Sequence, residues 1–322
     1  MPKKKTTFIV VLFSFLFLLI GIIVGKYFGF PFFYNRTDIS IGIYLGSNPF
    51  NMVSQDNITN PVISYKNVTD IKAEFVADPF MIKGKKVWYM FFEVLNADDN
   101  QGDIGLATSE DGIRWRYKKI VLNEPFHLSY PYVFAWRGEY YLIPESAHDY
   151  SIRLYKATDF PYRWKFIGKL LKGIYKDPSV IFYNNKWYLF ADSSFKNDLL
   201  RLYYSDNLLG PWLEHPKSPI VEKNPHIARP GGRIKLIDNK LYRFAQDDYP
   251  TYGHQIRTFE IKNLSTTEYQ ENEISESPIF KASGSGWNAH GMHHIDLHKF
   301  SEKSWIACVD GIRRPIGFRL KF

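Results

Sequence analysis

Two aspartates stand directly before prolines, at Asp78-Pro79 and Asp177-Pro178. Two more stretches place Tyr130-Pro131 and Arg229-Pro230 in the same setting, and a fifth, weaker one opens at His293-His294. Each stretch runs on through apolar and aromatic residues, and the first four end on an acid: Glu93, Glu145, Asp192 and Asp247. Paired carboxyl groups can act as acid and base when their surroundings keep one protonated and the other ionised. Arginine offers a planar fork for carboxylate or phosphate, and histidine exchanges protons near neutrality. The candidate catalytic carboxylates are therefore Asp78, Asp177 and Glu145. Arg229, Arg233, Tyr130, His293, His294, His127 and Glu93 are the candidate ligand contacts. An aspartate before proline is also a good turn opener. Arg229 could equally be the buried ionic partner of Asp78 or Asp177. Yet five equal turns would not need five headers of such different chemistry, whereas a site assembled from several elements would.

His293-His294 with Asp296 also invites a metal reading. Neighbouring residues on a strand point to opposite faces, so one histidine with an acid is the set that could hold a divalent ion. No cofactor is expected beyond that open case. Nucleotide-binding glycine loops, metalloprotease helix motifs and Gly-x-Ser-x-Gly elbows do not occur.

These residues need elements that bring them together. The stretches 77–93, 130–145, 177–192 and 229–247 each read as a β-hairpin, with turns at Lys83-Gly84-Lys85, Arg137-Gly138, Asn184-Asn185 and Asp238-Asn239. Between them recur strand–turn–strand segments that end on Trp115, Trp164 and Trp212, expected as blade-packing residues. A period of about 50 residues with several short strands per unit is a propeller signature. The expectation is an all-β, five-bladed β-propeller preceded by one transmembrane helix, with blades headed near 78, 130, 177, 229 and 293. A propeller closes its ring to remove its sheet edges. The last blade shows three strands, ending at Pro315–Leu320, so Ile39–Leu45 is expected to supply its fourth. In such a ring the innermost strands line a channel, and the headers converge at one mouth.

This Asp-Pro-headed plan resembles glycoside hydrolase families 43, 32, 62 and 68. That resemblance implies three mouth carboxylates: Asp78 matches the first-blade base and Asp177 the aspartate that tunes pKa. The general acid of family 43 heads the fourth blade as a glutamate, where this sequence has Arg229. Glu145 is the substitute acid. Longer motifs, Glu74–Met81, Gly105–Ser109, Glu124–Phe134, Pro144–Ser146, Ala228–Arg233 and Val309–Gly311, resemble a more particular family. It is the propeller domain N-terminal to the catalytic domain of plant glucosamine inositolphosphorylceramide transferases. There the transferase chemistry belongs to a separate C-terminal domain, so the resemblance implies no transferase activity for these residues. Three readings stay open. The propeller is an enzyme acting on glycosidic bonds, a recognition module for a glycan or an anionic glycolipid head group, or an accessory partner of a membrane-bound glycosyltransferase.

The formal charge is +8 over 322 residues, and Lys3, Lys4, Lys5 and Lys26 leave 8 − 4 = +4 for the remainder. With no dense basic run after residue 30, nucleic-acid binding is not expected. One cysteine, Cys308, excludes an internal disulfide framework and is expected in a buried strand. Residues 8–24 are an uncharged run, apolar but for Ser14, after three lysines. That pattern fits a signal anchor with a cytoplasmic N-terminus, or a cleaved signal. The expected division is 1–33 for the stub and anchor and 34–322 for an extracytoplasmic or lumenal propeller.

Overall fold

The computed structural model describes residues 3–28 and 33–318, with side chains from 11–23 and 36–315. It divides into two compact units, Met1–Thr37 with Arg314–Phe322, and Asp38–Arg313.

The first unit holds the helix Lys3–Phe28 and an antiparallel strand pair, Phe33–Asn35 with Ile316–Phe318. Among the described residues no helix is long and apolar enough to cross a membrane. The side chains of residues 8–10 and 24, the ends of the expected span, lie outside the described residues.

The second unit is the propeller. Blade one comprises Ala73–Lys83, Trp88–Asn96, Gln101–Ser109 and Arg116–Leu122, paired in chain order. Blade two comprises Ser129–Trp136, Glu139–Glu145, Ser151–Asp159 and Arg163–Lys172. Blade three is built on Lys176–Tyr183, Lys186–Asp192 and Leu199–Ser205, with Leu213–Glu214 and Val221–Glu222 both pairing the third strand. Blade four is built on Lys235–Ile237, Lys240–Asp247 and Gln255–Leu264, edged by Tyr269–Glu273 and Phe280–Lys281.

Blade five closes the ring, and here the expectation needs correcting. Only two of its strands, Ile295–Ser301 and Ser304–Arg313, come from the C-terminal side; Asp38–Asn48 and Asn51–Val53 supply the other two. The segment expected as a third C-terminal strand, Ile316–Phe318, instead pairs Phe33–Asn35. Asp38–Asn48 pairs Ser304–Arg313 in unbroken register from Asp38↔Arg313 to Gly46↔Trp305. That ladder, with Ile39, Ile41 and Ile43 buried, is the clasp that removes the edges of an open sheet.

The hairpin turns follow from residues that tolerate positive φ. Asn184 and Asn185 sit at φ 47° and 61°, and Asp238 and Asn239 at 49° and 62°. Positive φ at both centres makes the mirror-image turn that matches strand twist. The tryptophans close their own turns: Trp115, Trp164 and Trp212 donate their indole N–H to Gly112, Pro161 and Leu208 carbonyls. Between blades the core is Phe80, Phe91, Leu106, Leu142, Leu154 and Leu189 on one side and Ile41, Ile43, Met90, Phe92 and Ile306 on another. Each such side chain contributes about 1.5–3 kcal/mol on burial.

The headers are bulges rather than plain turn openers. Pairing register steps between Ala77 and Phe80, between Ser129 and Tyr132, and between Lys176 and Ser179. Asp78, Tyr130 and Asp177 sit at φ 52°, 44° and 49°. A non-glycine residue held there costs about 1–2 kcal/mol. Bulges redirect the local side chain, and these turn Asp78 and Asp177 to the channel mouth and the Tyr130 ring into the channel below it.

Candidate functional site

Below the mouth the channel is filled. Phe80, Tyr130 and His294 are fully buried and meet edge to face, with ring centroids 4.9, 4.5 and 5.2 Å apart. Ser179 Oγ lies 2.8 Å from the Tyr130 hydroxyl, which donates to Gly232 O at 3.0 Å. Gly232 has φ 152°, and a Cβ there would lie 1.9 Å from Ile295 O, so only glycine fits. Tyr130 is thus a channel plug; its backbone N–H, not its hydroxyl, reaches the site, donating to Asp78 Oδ2 at 3.3 Å.

A separate ionic layer involves Arg233. Its guanidinium donates to both Asp296 oxygens at 2.8 and 3.3 Å and lies over the Tyr132 ring. Asp296 also accepts from Met81 N and pairs His298 Nε2 at 2.8 Å. Arg233 therefore stabilises the fold through a satisfied buried pair and offers no free fork.

The mouth itself joins Asp78, Glu93, Glu145, Asp177, Arg229 and His293. Arg229, from the blade-four header, donates through Nε to Asp177 Oδ2 at 2.6 Å and through Nη2 to Oδ1 at 3.2 Å. Its Nη2 is 3.6 Å from Glu145 Oε2, and its guanidinium lies 5.4 Å from the Tyr252 ring centroid. The Gln246 amide donates to Asp177 and to Pro230 O. Burial pushes the Asp177 carboxyl up, but the Arg229 charge and hydrogen bonds outweigh it and hold the group ionised. Glu145 accepts from Asp177 N at 3.2 Å, and burial followed by the Asp177 charge raises its pKa well above the usual range.

A second ion pair lies on blade five. His293 Nδ1 donates to Asp310 Oδ1 at 2.8 Å. Burial opposes the imidazolium, yet Asp310 overcomes it and raises His293 to about 9. Asp310 also accepts from the backbone N–H groups of His293, His294 and Asp78. Asp78 is 4% exposed. Its Oδ1 lies 3.6 Å from His293 Nε2 and 3.8 Å from His294 Nδ1 and has no hydrogen-bond partner among the described residues. Burial, only partly offset by His293, raises Asp78 to about 7. Glu93 is raised well above its usual range by burial, then by the Asp78 and Glu145 charges. His127 accepts from Gly102 N through Nδ1, so its Nε2 carries the proton facing Glu93 Oε1 at 3.4 Å. Burial lowers His127 to about 4, leaving it neutral.

Asp78, His293 and Asp310 present ligand atoms within 4.8 Å of one another and could in principle hold a metal. Asp310 Oδ1 already accepts three hydrogen bonds and Oδ2 a fourth, so the set fits an ion pair better than a cation site. Asp296, the acid expected beside the histidines, belongs to Arg233. The two histidines precede the strand Ile295–Ser301, so strand alternation does not separate them, and both rings approach Asp78.

Among the strand-end acids, Asp192 caps its own loop by accepting from Ser194 N and Leu199 N through Oδ1. Asp247 accepts from Tyr249 N, Gln255 and Arg257 and pairs His226. Sequence reasoning missed Asp310, Gln246 and Tyr252. Asp310 ends the second strand of the fifth copy, the position of Glu93 and Glu145, so the repeat carried its signal. Tyr252 sits on a loop that no repeat marks.

A family model described as "Glucosamine inositolphosphorylceramide transferase 1, N-terminal" matches residues 34–312. The protein named glucosamine inositolphosphorylceramide transferase 1 from Oryza sativa subsp. japonica is 36% identical over 301 residues, covering 86% of this chain and 40% of the relative. Its namesake in Arabidopsis thaliana is 36% identical over 305 residues, covering 88% and 40%. The chain thus spans about two fifths of the length of these relatives. Among solved structures, the family 62 α-L-arabinofuranosidase of Coprinopsis cinerea matches with TM-score 0.57 and 12% identity, covering 87% of this chain and 97% of that one. An α-L-arabinanase of Cellvibrio cellulosa matches with TM-score 0.53 and 19% identity, covering 73% and 90%. At these identities the likeness is one of fold: the five-bladed propeller is shared with glycoside hydrolases.

Proposed function

The chain belongs to the family of the N-terminal region of glucosamine inositolphosphorylceramide transferase 1, and on that premise we propose that its propeller is a recognition module that holds the sugar part of a glycolipid head group at the channel mouth without cleaving it. One observation carries this reading. Arg229 stands at the blade-four header and binds both oxygens of Asp177. Glycoside hydrolysis sets a protonated carboxyl and an ionised one across a bond. Here the ionised blade-three aspartate is closed into a buried pair, and a cation stands at that header instead of an acid. Carboxyl groups that keep unused lone pairs suit sugar hydroxyls, and Tyr252, 39% exposed, provides a ring at the rim. Because both arginines are already neutralised, the mouth is suited to the sugar and not to a phosphate of the head group.

The helix Lys3–Phe28 supports an N-terminal membrane anchor that keeps the propeller at a membrane surface, beside the glycosyltransferase machinery that acts on such lipids. Its apolar side chains from Val11 to Ile23 are 44–71% exposed. Retention of the full chain in the membrane pellet after carbonate extraction tests the anchor; release into the supernatant refutes it. A glycan and glycolipid array followed by turnover assays on every bound species tests the module. Binding without product is expected, and cleavage of any bound glycan overturns the reading.

A further inference from the structure

The first strand of each blade starts at the mouth and the second runs back to it, so the loops after Glu93, Glu145, Asp192 and Asp247 all lie on the mouth face. In blades two, three and four these loops carry Tyr150, Phe195 and Tyr249, which are 66, 84 and 58% exposed. The loops themselves are held in place. Tyr150 N donates to Ala147 O, and Gly173 N donates to Tyr150 O. Asp192 accepts from Ser194 N and Leu199 N on either side of Phe195. Asn197 Nδ2 donates to Asp248 Oδ2 at 2.8 Å, which ties the loops of blades three and four together. Single exposed apolar residues are ordinary, but one large ring on each of three successive loops of one face is not scatter.

The charge of this sector points the same way. Lys172, Lys196 and Lys223 are exposed on it, and Glu222 is the exposed acid among residues 146–150, 172–176, 193–198, 222–228 and 248–254. Asp149, next to Tyr150, is neutralised by Arg153 at 2.7 Å and Lys169 at 2.9 Å. Blade one differs: its mouth loop exposes Asp98, Asp99 and Asn100 and carries no ring. The path of the chain is a third observation. Asp38 and Arg313, the first and last residues of the propeller unit, pair with each other where the second strand of blade five returns to the mouth. The chain therefore enters and leaves the propeller on the mouth face.

We propose that the mouth face of blades two to four rests on a lipid bilayer, with Tyr150, Phe195 and Tyr249 seated at the head-group level. Aromatic rings favour that depth, where the apolar body meets the acyl boundary and a phenol hydroxyl stays among the head groups. Each lysine beside an anionic surface strengthens association about fivefold. The acids of blade one oppose such contact, so the docking is tilted onto the other blades. An anchor on the entering chain holds this same face toward the membrane. The mouth then opens toward the lipid, where a head group reaches it without leaving the bilayer. The inference rests on the membrane-surface reading above and adds which face meets the bilayer and which residues touch it.

The test uses the full chain with vesicles of phosphatidylcholine and phosphatidylglycerol in which part of the lipid carries a nitroxide quencher near the head group. A bimane label is placed in turn through Tyr150→Cys, Phe195→Cys and Tyr249→Cys. Asp98→Cys and Leu209→Cys are the controls, the second on the exposed turn at the opposite end of blade three. Cys308 is fully buried and stays unlabelled in the folded chain. The labels at the three ring positions are expected to lose at least half their fluorescence to the nitroxide lipid, and the two controls to keep theirs. Three separate positions keep the result readable if one variant misfolds. Phe195→Ser should reduce quenching of the Tyr249→Cys label at least twofold while leaving retention after carbonate extraction unchanged. Retention of the chain with none of the three labels quenched overturns the docking and leaves the anchor intact. Quenching of the Leu209→Cys label in place of the three assigns the opposite face and overturns the docking too. Quenching of the three with release by carbonate supports the docking and refutes the anchor alone. A chain that never associates with the vesicles overturns both.

Discussion

Replacing Asp78 with asparagine tests the electrostatics of the mouth. Asn keeps the size and the oxygen that accepts from Tyr130 N–H, but it cannot ionise. In the folded chain Asp78 is raised from 3.8 to about 7, chiefly by burial. Between those values the folded chain holds a proton that the unfolded chain has lost, so stability falls as pH rises across this window. A rise of about three units at 1.36 kcal/mol each caps the effect at about 4 kcal/mol. Coupling to His293 and Asp177 brings the expectation to about 2–4 kcal/mol. Urea unfolding followed by tryptophan fluorescence, at pH 4.5, 6, 7.5 and 8.5, gives the comparison. Near pH 4 any difference between the two chains reflects packing alone. By pH 8 Asp78→Asn should have gained about 2–4 kcal/mol relative to the parent. A difference that stays constant with pH, or one that moves the other way, refutes the claim that this carboxyl is buried without adequate compensation.

Further outcomes follow from the same geometry. Arg229→Met leaves Asp177 buried with only the Gln246 amide as a polar side-chain donor and should cost about 3–5 kcal/mol in unfolding free energy; a loss below 1 kcal/mol would show the pair to be dispensable. Gly232→Ala drives a methyl group into Ile295 O and should destabilise by more than about 3 kcal/mol or prevent folding, seen as a lost cooperative melt. Cys308 is fully buried and burial raises its thiol well above the ordinary value, so a thiol reagent should react only at the rate of unfolding.

The architecture was legible because the repeat wrote itself in residues with simple physics. Asn184-Asn185 and Asp238-Asn239 are turn pairs that accept positive φ, and the alternating run Ile39–Leu45 could pay its way only by closing a ring. The split of blade five was not legible, since Ile316–Phe318 alternates as well as a blade strand does and only pairing decides its place. The converging headers do bring Asp78, Asp177, Arg229 and His293 to one mouth. Arg233 was misplaced because it lies only four residues beyond Arg229, yet its guanidinium pairs Asp296 of the neighbouring blade five. Asp78 and Asp177 share a header motif but differ in charge state, because one faces the Arg229 guanidinium and the other does not. Such a difference arises from partners distant in sequence.

On the proposed reading, the mouth binds a sugar and does not cut it. Equilibrium binding of glycolipid head-group sugars to the full chain, with product analysis after prolonged incubation of the same samples, tests it most directly. Saturable binding that weakens when Asp78 is replaced by asparagine, with every sugar recovered intact, is the predicted result. Release of a free sugar by the parent chain, abolished in Asp78→Asn, would contradict it.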